Sequence, residues 1–245
     1  WSDLGPMGPW VAYTDTIAPR FITALLSAAL DHRRRTGEGC YIDVAQMETA
    51  LHFLAPELMD LQANGHLASR IGNRSAYAAP QSNYLCKGDD NWCAIAVETD
   101  EEWLHLCQAL DRPDWADDEH LATNPGRLAH HDQIDQGISA WTQTRSVHDV
   151  MATLQKAGVP AGMVQRSSDL LKDPQYAHRH FYRYHDHQEM GKVPYAGHQY
   201  LISSYDNRPR GPAPCLGQHS FEVLTEVLNL TDDEVAEVFA SGVVT

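Results

Sequence analysis

A chain of 245 residues, 43% hydrophobic and 9% aromatic, can build one large domain or two small ones around an apolar core without a disulfide or metal staple. Its formal charge of −15, from 33 acidic against 18 basic residues, repels phosphate backbones and argues against nucleic acid as a partner. No apolar run approaches the roughly 20 residues of a membrane-spanning helix, and the five cysteines (Cys40, Cys86, Cys93, Cys107, Cys215) form no C-x-x-C pair, so neither a disulfide framework nor a thiolate zinc site is expected and a reducing cytoplasm is the expected compartment.

The chain opens on Trp1, without an initiator methionine or a signal-peptide pattern, in the Gly/Pro-rich stretch Gly5-Pro6-Met7-Gly8-Pro9, and so suggests an excised piece that begins in a loop. From Ile17 to Arg35, Phe21, Leu25, Ala28, Ala29 and Leu30 recur at helical spacing. Pro19 suits the first turn, and Thr36-Gly37-Glu38-Gly39 ends the helix. The helix is apolar enough to be expected well buried. Arg33-Arg34-Arg35 is too short a basic run to recruit nucleic acid and fits a helix C-terminus, where cations are favoured. Tyr41-Ile42-Asp43-Val44 alternates like a strand, and Met47 to Asn64 predicts a second helix, kinked at Pro56 and ended by Gly65.

Residues 66 to 82 lack periodicity and predict a linker. Asn83–Cys86 and Trp92–Val97 predict a hairpin around Lys87-Gly88-Asp89-Asp90-Asn91, whose residues tolerate positive φ. Asp100 is the expected cap of a helix reaching Leu110. Helices follow at about 127–142, 147–157 and 168–176, with a short strand after Gly158-Val159-Pro160. Two or three strands are expected between Phe181 and Ser204, and two helices, His219–Leu228 and Asp232–Ser241, close the chain. Strands mixed with helices without strict βαβ alternation predict an α+β unit in the middle of the chain.

The run Ala24-x-x-x-Ala28-Ala29-Leu30-x-x-Arg33-x-x-Thr36-Gly37-x-Gly39, followed by Ile42-Asp43-Val44, resembles the signature segment of family III coenzyme A-transferases, the group of formyl-CoA and carnitine-CoA transferases. The resemblance continues through Gly72-Asn73, Ala79-Pro80, Tyr84, Gly88-Asp89, Trp92, Trp103, Leu110, Arg127, Ala157-Gly158-Val159-Pro160-Ala161 and Asp173-Pro174-Gln175. It closes on Ala213-Pro214-x-Leu216-Gly217-x-His219, with Val223-Leu224 and Asp233-Glu234 after it, and so covers nearly the whole chain.

That resemblance implies an α/β fold with an α+β small domain, lacking most of the family's N-terminal Rossmann-like half. It implies the C-terminal part of the large domain at 1–66, a linker at 67–80, the small domain at 81–205 and helices returning to the large domain at 206–245. It makes Asp15, in Tyr13-Thr14-Asp15-Thr16, the catalytic nucleophile. On the residues alone an aspartate ahead of a helix is an ordinary cap. In the family's chemistry the carboxylate attacks an acyl-CoA thioester, and CoA passes through an aspartyl anhydride and an aspartyl thioester to a carboxylic acid. Backbone N–H groups near Thr16 to Phe21 are expected to receive the developing negative charge. No cofactor is bound permanently, coenzyme A entering as the substrate thioester. The expected partners are an acyl-CoA and a small carboxylic acid, and a homodimer is expected, with a separate chain supplying the N-terminal half as a second arrangement.

Two departures narrow this. Pro19 stands where the family commonly has glycine, and residues 74 to 83 contain none of the glycines of formyl-CoA transferase, so formate and oxalate chemistry is not supported. Without the N-terminal half the chain alone is expected to be catalytically incomplete. The alternatives are an α-methylacyl-CoA racemase-like isomerase, disfavoured by Ala96-Val97-Glu98-Thr99-Asp100, and a non-catalytic dimerisation module. His178, His180, His185 and His187 fall within ten residues, yet no carboxylate or cysteine stands at a known ligand spacing, and no metal site is expected. G-x-S-x-G, G-x-G-x-x-G and G-x-x-x-x-G-K-[ST] are absent, which argues against a serine hydrolase and against an independent nucleotide site.

Overall fold

The computed structural model describes residues 12–244, which divide into two compact units, one running to Met163 and the other starting at Val164. The boundary between them falls inside the span that the sequence assigned to a single small domain.

The first unit opens with α1 (Tyr13–Thr36), α2 (Gln46–Leu51) and α3 (Ala55–Asn64), with a 3-10 turn at His52–Leu54 just ahead of Pro56. Gly37 and Gly65 end α1 and α3 at φ 80° and 68°, a left-handed conformation that glycine enters at little steric cost. Helix α1 begins four residues earlier than the periodicity suggested, so Pro19 lies in its interior, not in its first turn. Its burial also departs from expectation: only Ile17 and Ala18 are buried, while Leu25, Leu26 and Leu30 are 43%, 50% and 49% exposed. Residues 40–45 form no strand, since no described segment pairs with them, and Tyr41 is 91% exposed.

The apolar core of this unit lies further along. Strands β1 (Gln81–Leu85), β2 (Trp92–Ala96) and β3 (Ala161–Met163) form an antiparallel sheet in the order β1-β2-β3, with Tyr84 opposite Cys93 and Ser82 opposite Ile95. Because strand side chains alternate between faces, Tyr84, Cys93 and Ile95 all point to one side. There they meet Trp103 and Leu106 of α4 (Asp100–Ala109), Ile134 and Ile138 of α7 (His131–Thr142), and Val150 and Leu154 of α8 (Val147–Lys156). Between α4 and α7 run two short helices, α5 (Pro113–Ala116) and α6 (Asn124–Ala129).

A cation holds this core together. Arg127 is wholly buried, and its guanidinium donates to the carbonyls of Ala79 (2.9 Å) and Leu121 (3.2 Å) and to Asp100 Oδ1 (2.8 Å), lying 5.4 Å over the Trp103 ring. A buried charge persists only when its donors are satisfied, and here two loop carbonyls and a residue of α4 supply the acceptors. Asp100 is therefore not the cap of α4. That place belongs to Thr99, which accepts from the Glu102 N–H while Glu102 reaches back to the Thr99 N–H.

The second unit carries α9 (Ser167–Leu170), α10 (Pro174–His178), the hairpin β4 (Tyr182–His187) and β5 (Gly191–Ala196), then α11 (Ser220–Glu222), which runs on as a π-turn to Val227, and α12 (Asp232–Ala240). Of the clustered histidines, only His185 and His187 stand on a strand. His185 Nε2 lies 3.1 Å from the Pro209 carbonyl oxygen, and His187 Nδ1 accepts from the Glu189 and Met190 N–H groups. His178 ends α10, and His180 occupies a turn at φ 50°. Among the described residues no group of three or more histidines, cysteines or acids is placed to hold a metal ion, and no helix is long and apolar enough to cross a membrane.

Candidate active site

Asp15 sits in the first turn of α1, exposed to solvent. A carboxylate is favoured there by the positive end of the helix dipole. The turn that carries it is braced against the following helices. Thr14 Oγ1 lies 3.5 Å from Gln46 Oε1 at the start of α2. Tyr13 and Phe21 both meet the Phe53 ring edge-on at 6.3 Å, and Phe21 stacks on His52 at 5.6 Å. Ile17, Ala18 and Thr49 are buried on the same pair of helices. The turn carrying Asp15 is thus braced by Tyr13 before it and by Ile17, Ala18 and Phe21 after it.

The expected donors near it need correcting. Because α1 starts at Tyr13, the Thr16 N–H already bonds to the Ala12 carbonyl (3.2 Å), and N–H groups further along are committed to helical bonds. The N–H groups of a first helical turn have no partner inside the helix, here those of Tyr13, Thr14 and Asp15, and Ala12 provides no side-chain cap for them. Pro19 has no N–H to offer the carbonyl of Asp15, four residues before it, so this carbonyl lacks its helical partner. The proline therefore acts on the very residue singled out as nucleophile. That relation was visible in the spacing once the helix was known to start at Tyr13.

Sequence reasoning missed a second polar cluster. Tyr84 Oη donates to Asp135 Oδ1 (2.7 Å), Arg74 bridges Asp135 (2.9 Å) and Asp132, and His131 Nε2 accepts from the Gln81 N–H at 3.5 Å. Burial pushes the Tyr84 phenol far above its ordinary range, with the neighbouring Asp135 acting in the same direction, so it stays protonated and donates. This cluster ties the segment before the hairpin to α7. Arg74, Asp132 and Asp135 are far apart in sequence or lie on a polar helix face, and nothing in their spacing announces it.

With this geometry in hand, the comparisons with known proteins are direct. The family model described as CoA-transferase family III matches residues 1–220. A succinyl-CoA–D-citramalate CoA-transferase of Chloroflexus aurantiacus is 29% identical over 246 residues, covering 99% of this chain and 60% of its own length. A probable CoA-transferase of Mycobacterium tuberculosis is 30% identical over 223 residues, which is 91% of this chain and 28% of that protein. Among solved structures, a CAIB/BAIF family protein from Brucella suis superposes with a TM-score of 0.80 at 29% identity, covering 92% of this chain and 58% of that one. The chain belongs to CoA-transferase family III and shares its mixed α/β fold. It spans between 28% and 60% of the length of these two curated relatives.

Proposed function

We propose that this chain carries the nucleophile of a CoA transferase that moves coenzyme A from an acyl-CoA thioester to a carboxylic acid, with Asp15 as that nucleophile. The observation that carries the reading is the carboxylate of Asp15, exposed in a braced first turn, in a chain of this family. The Asp15 carboxylate adds to the thioester carbonyl, and the C–S bond breaks with its electron pair leaving on the CoA thiolate. The thiolate then attacks the aspartyl carbonyl of the mixed anhydride and expels the donor carboxylate. An acceptor carboxylate attacks the resulting aspartyl thioester, and the released thiolate attacks the acceptor's acyl carbon, which restores the Asp15 carboxylate. No net proton is taken up. N–H groups of Tyr13 to Asp15, which have no partner inside the helix, are the backbone donors offered to the oxyanions.

Succinyl-CoA is the donor to try first, because two relatives are named as succinyl-CoA transferases, one for D-citramalate in Chloroflexus aurantiacus and one for glutarate in human, the latter 23% identical over 98% of this chain. The exposure of Asp15 supports a second part to the reading: the walls that seclude the acyl group come from polypeptide outside this chain, and the chain alone turns over slowly or not at all.

The test is the intact mass of the protein after incubation with succinyl-CoA and a panel of other acyl-CoA thioesters, with and without hydroxylamine. A hydroxylamine-sensitive adduct that is absent in Asp15→Ala supports Asp15 as the nucleophile and names the donor. An adduct that persists in Asp15→Ala refutes that role. No adduct with any thioester from a chain joined to the remaining part of the fold would overturn the transferase reading itself.

A further inference from the structure

In a chain of net charge −15, one recess gathers cations. It lies wholly within the second unit, between the end of α10 and the segment 201–208, and encloses about 510 Å³, the size of a small-molecule site. We propose that this recess, with Arg179 as its main anchor, binds a small organic acid through its carboxylate. The proposal is argued from the second unit alone and does not rest on the chemistry assigned to Asp15.

Both walls are built from the backbone up. On one side α10 ends at His178, and the chain reverses through His180 at φ 50°, with the His180 N–H on the Ala177 carbonyl (3.1 Å) and the Phe181 N–H on that of Tyr176 (2.9 Å). Tyr176 stacks on Phe181 at 4.8 Å, and Tyr182 meets both rings edge-on, so the reversal is pinned by three aromatic residues. On the other side Asp206 accepts from Arg208 Nε (2.7 Å), from the Arg208 N–H (3.1 Å) and from Arg183 Nη2 (2.8 Å), while Asn207 reaches the Tyr200 carbonyl (3.3 Å). Arg183 and His185 both also contact the Pro209 carbonyl oxygen, tying this wall to β4.

The charge count inside the recess then decides what it attracts. Its one carboxylate, Asp206, is held well below the usual carboxylate range, chiefly by the Arg208 side chain, and is already matched by two guanidiniums. Arg179 has no ion pair with any described residue, and the side chains of His178, His180 and Ser203 make no hydrogen bond to one. The wall at α10 therefore presents a guanidinium and two imidazoles, and the facing wall the Ser203 hydroxyl, with no described residue to satisfy them. A guanidinium fork suits a carboxylate, and Leu201, Ile202 and Tyr205 of the facing wall offer apolar surface to the rest of the ligand, which favours an acid with a hydrocarbon body over a bare inorganic anion.

Isothermal titration at low ionic strength with hexanoate and, separately, inorganic phosphate tests this. Hexanoate is expected to bind, phosphate more weakly, and Arg179→Gln to weaken hexanoate about tenfold, the loss of one charge-assisted contact. Lys192→Gln, a cation of β5 outside the recess, is expected to leave binding unchanged. Absence of hexanoate binding, phosphate binding as tight as hexanoate, an Arg179→Gln protein equal to the parent, or an equal loss in Lys192→Gln each overturns the proposal.

Discussion

His131 is almost fully buried at the N-terminus of α7, where its Nε2 accepts the Gln81 N–H and Asp135 lies 3.6 Å away. Burial lowers its pKa below 6.5; Asp135 and Asp132 oppose the shift and Arg74 adds to it. A neutral imidazole is also what the Gln81 N–H requires, since the protonated ring would set donor against donor. The unfolded chain therefore binds a proton that the folded chain resists, and stability falls as pH drops through about 6.5 toward the folded value. The carboxylates held below their ordinary range, Asp132 and Glu234 among them, titrate well under this window. Urea unfolding followed between pH 7.5 and 5 is expected to show a falling midpoint, and His131→Gln is expected to flatten that fall; an equal slope in both proteins would remove His131 as its cause. The candidate nucleophile was found from sequence only because the resemblance pointed to it, since Asp15 by itself looks like any residue of a first helical turn. The cluster around His131 had no such guide.

At the scale of elements, the pattern of apolar positions and the punctuation by glycine and proline carried most of the fold. The hairpin of β1 and β2 formed where Lys87 to Asn91 predicted it, with Gly88 and Asp90 at φ 111° and 52°, and α8, β3 and the closing helices follow their signals within a few residues, whereas the helices expected at 127–142 and 168–176 are each broken into two, α6 with α7 and α9 with α10. Errors came where a local signal had two readings. Asp100 has the chemistry of a cap, but Thr99 precedes Glu102 by three residues and takes the place, which frees Asp100 for Arg127. Tyr41 to Val44 has the alternation of a strand, but a strand exists only beside a partner, which local sequence does not reveal. The cap assignment is checked by Thr99→Ala, which loses the side-chain acceptor for the Glu102 N–H and is expected to cost about 1 kcal/mol of stability. Thr99→Ser is expected to keep most of it. A neutral Thr99→Ala would remove Thr99 as the cap.

Over the whole molecule, burial is distributed unevenly. The core residues from Tyr84 to Val159 form one cluster, whereas the 24 residues of α1 bury only Ile17 and Ala18. Along α1 to α3 apolar side chains stand in water: Phe53 is 52% exposed, Leu54 52%, Leu58 48% and Met59 67%. Isolated helices are marginal in water, and most helical stability in proteins comes from packing an apolar face. In the chain by itself, amide hydrogens of α1 to α3 are therefore expected to exchange well ahead of those of β2, α7 and α8, whose side chains reach full burial. Mass-resolved hydrogen exchange, run beside a measurement of hydrodynamic size, separates the possibilities. Fast exchange in α1 to α3 at monomer size means that this face stands open and that, among the described residues, the turn bearing Asp15 leans on Gln46 and Phe53. Protection of α1 equal to that of α8 would mean instead that the face is covered, by a second copy if the particle has doubled in mass, and Asp15 would then lie at the edge of that interface and not on a free surface.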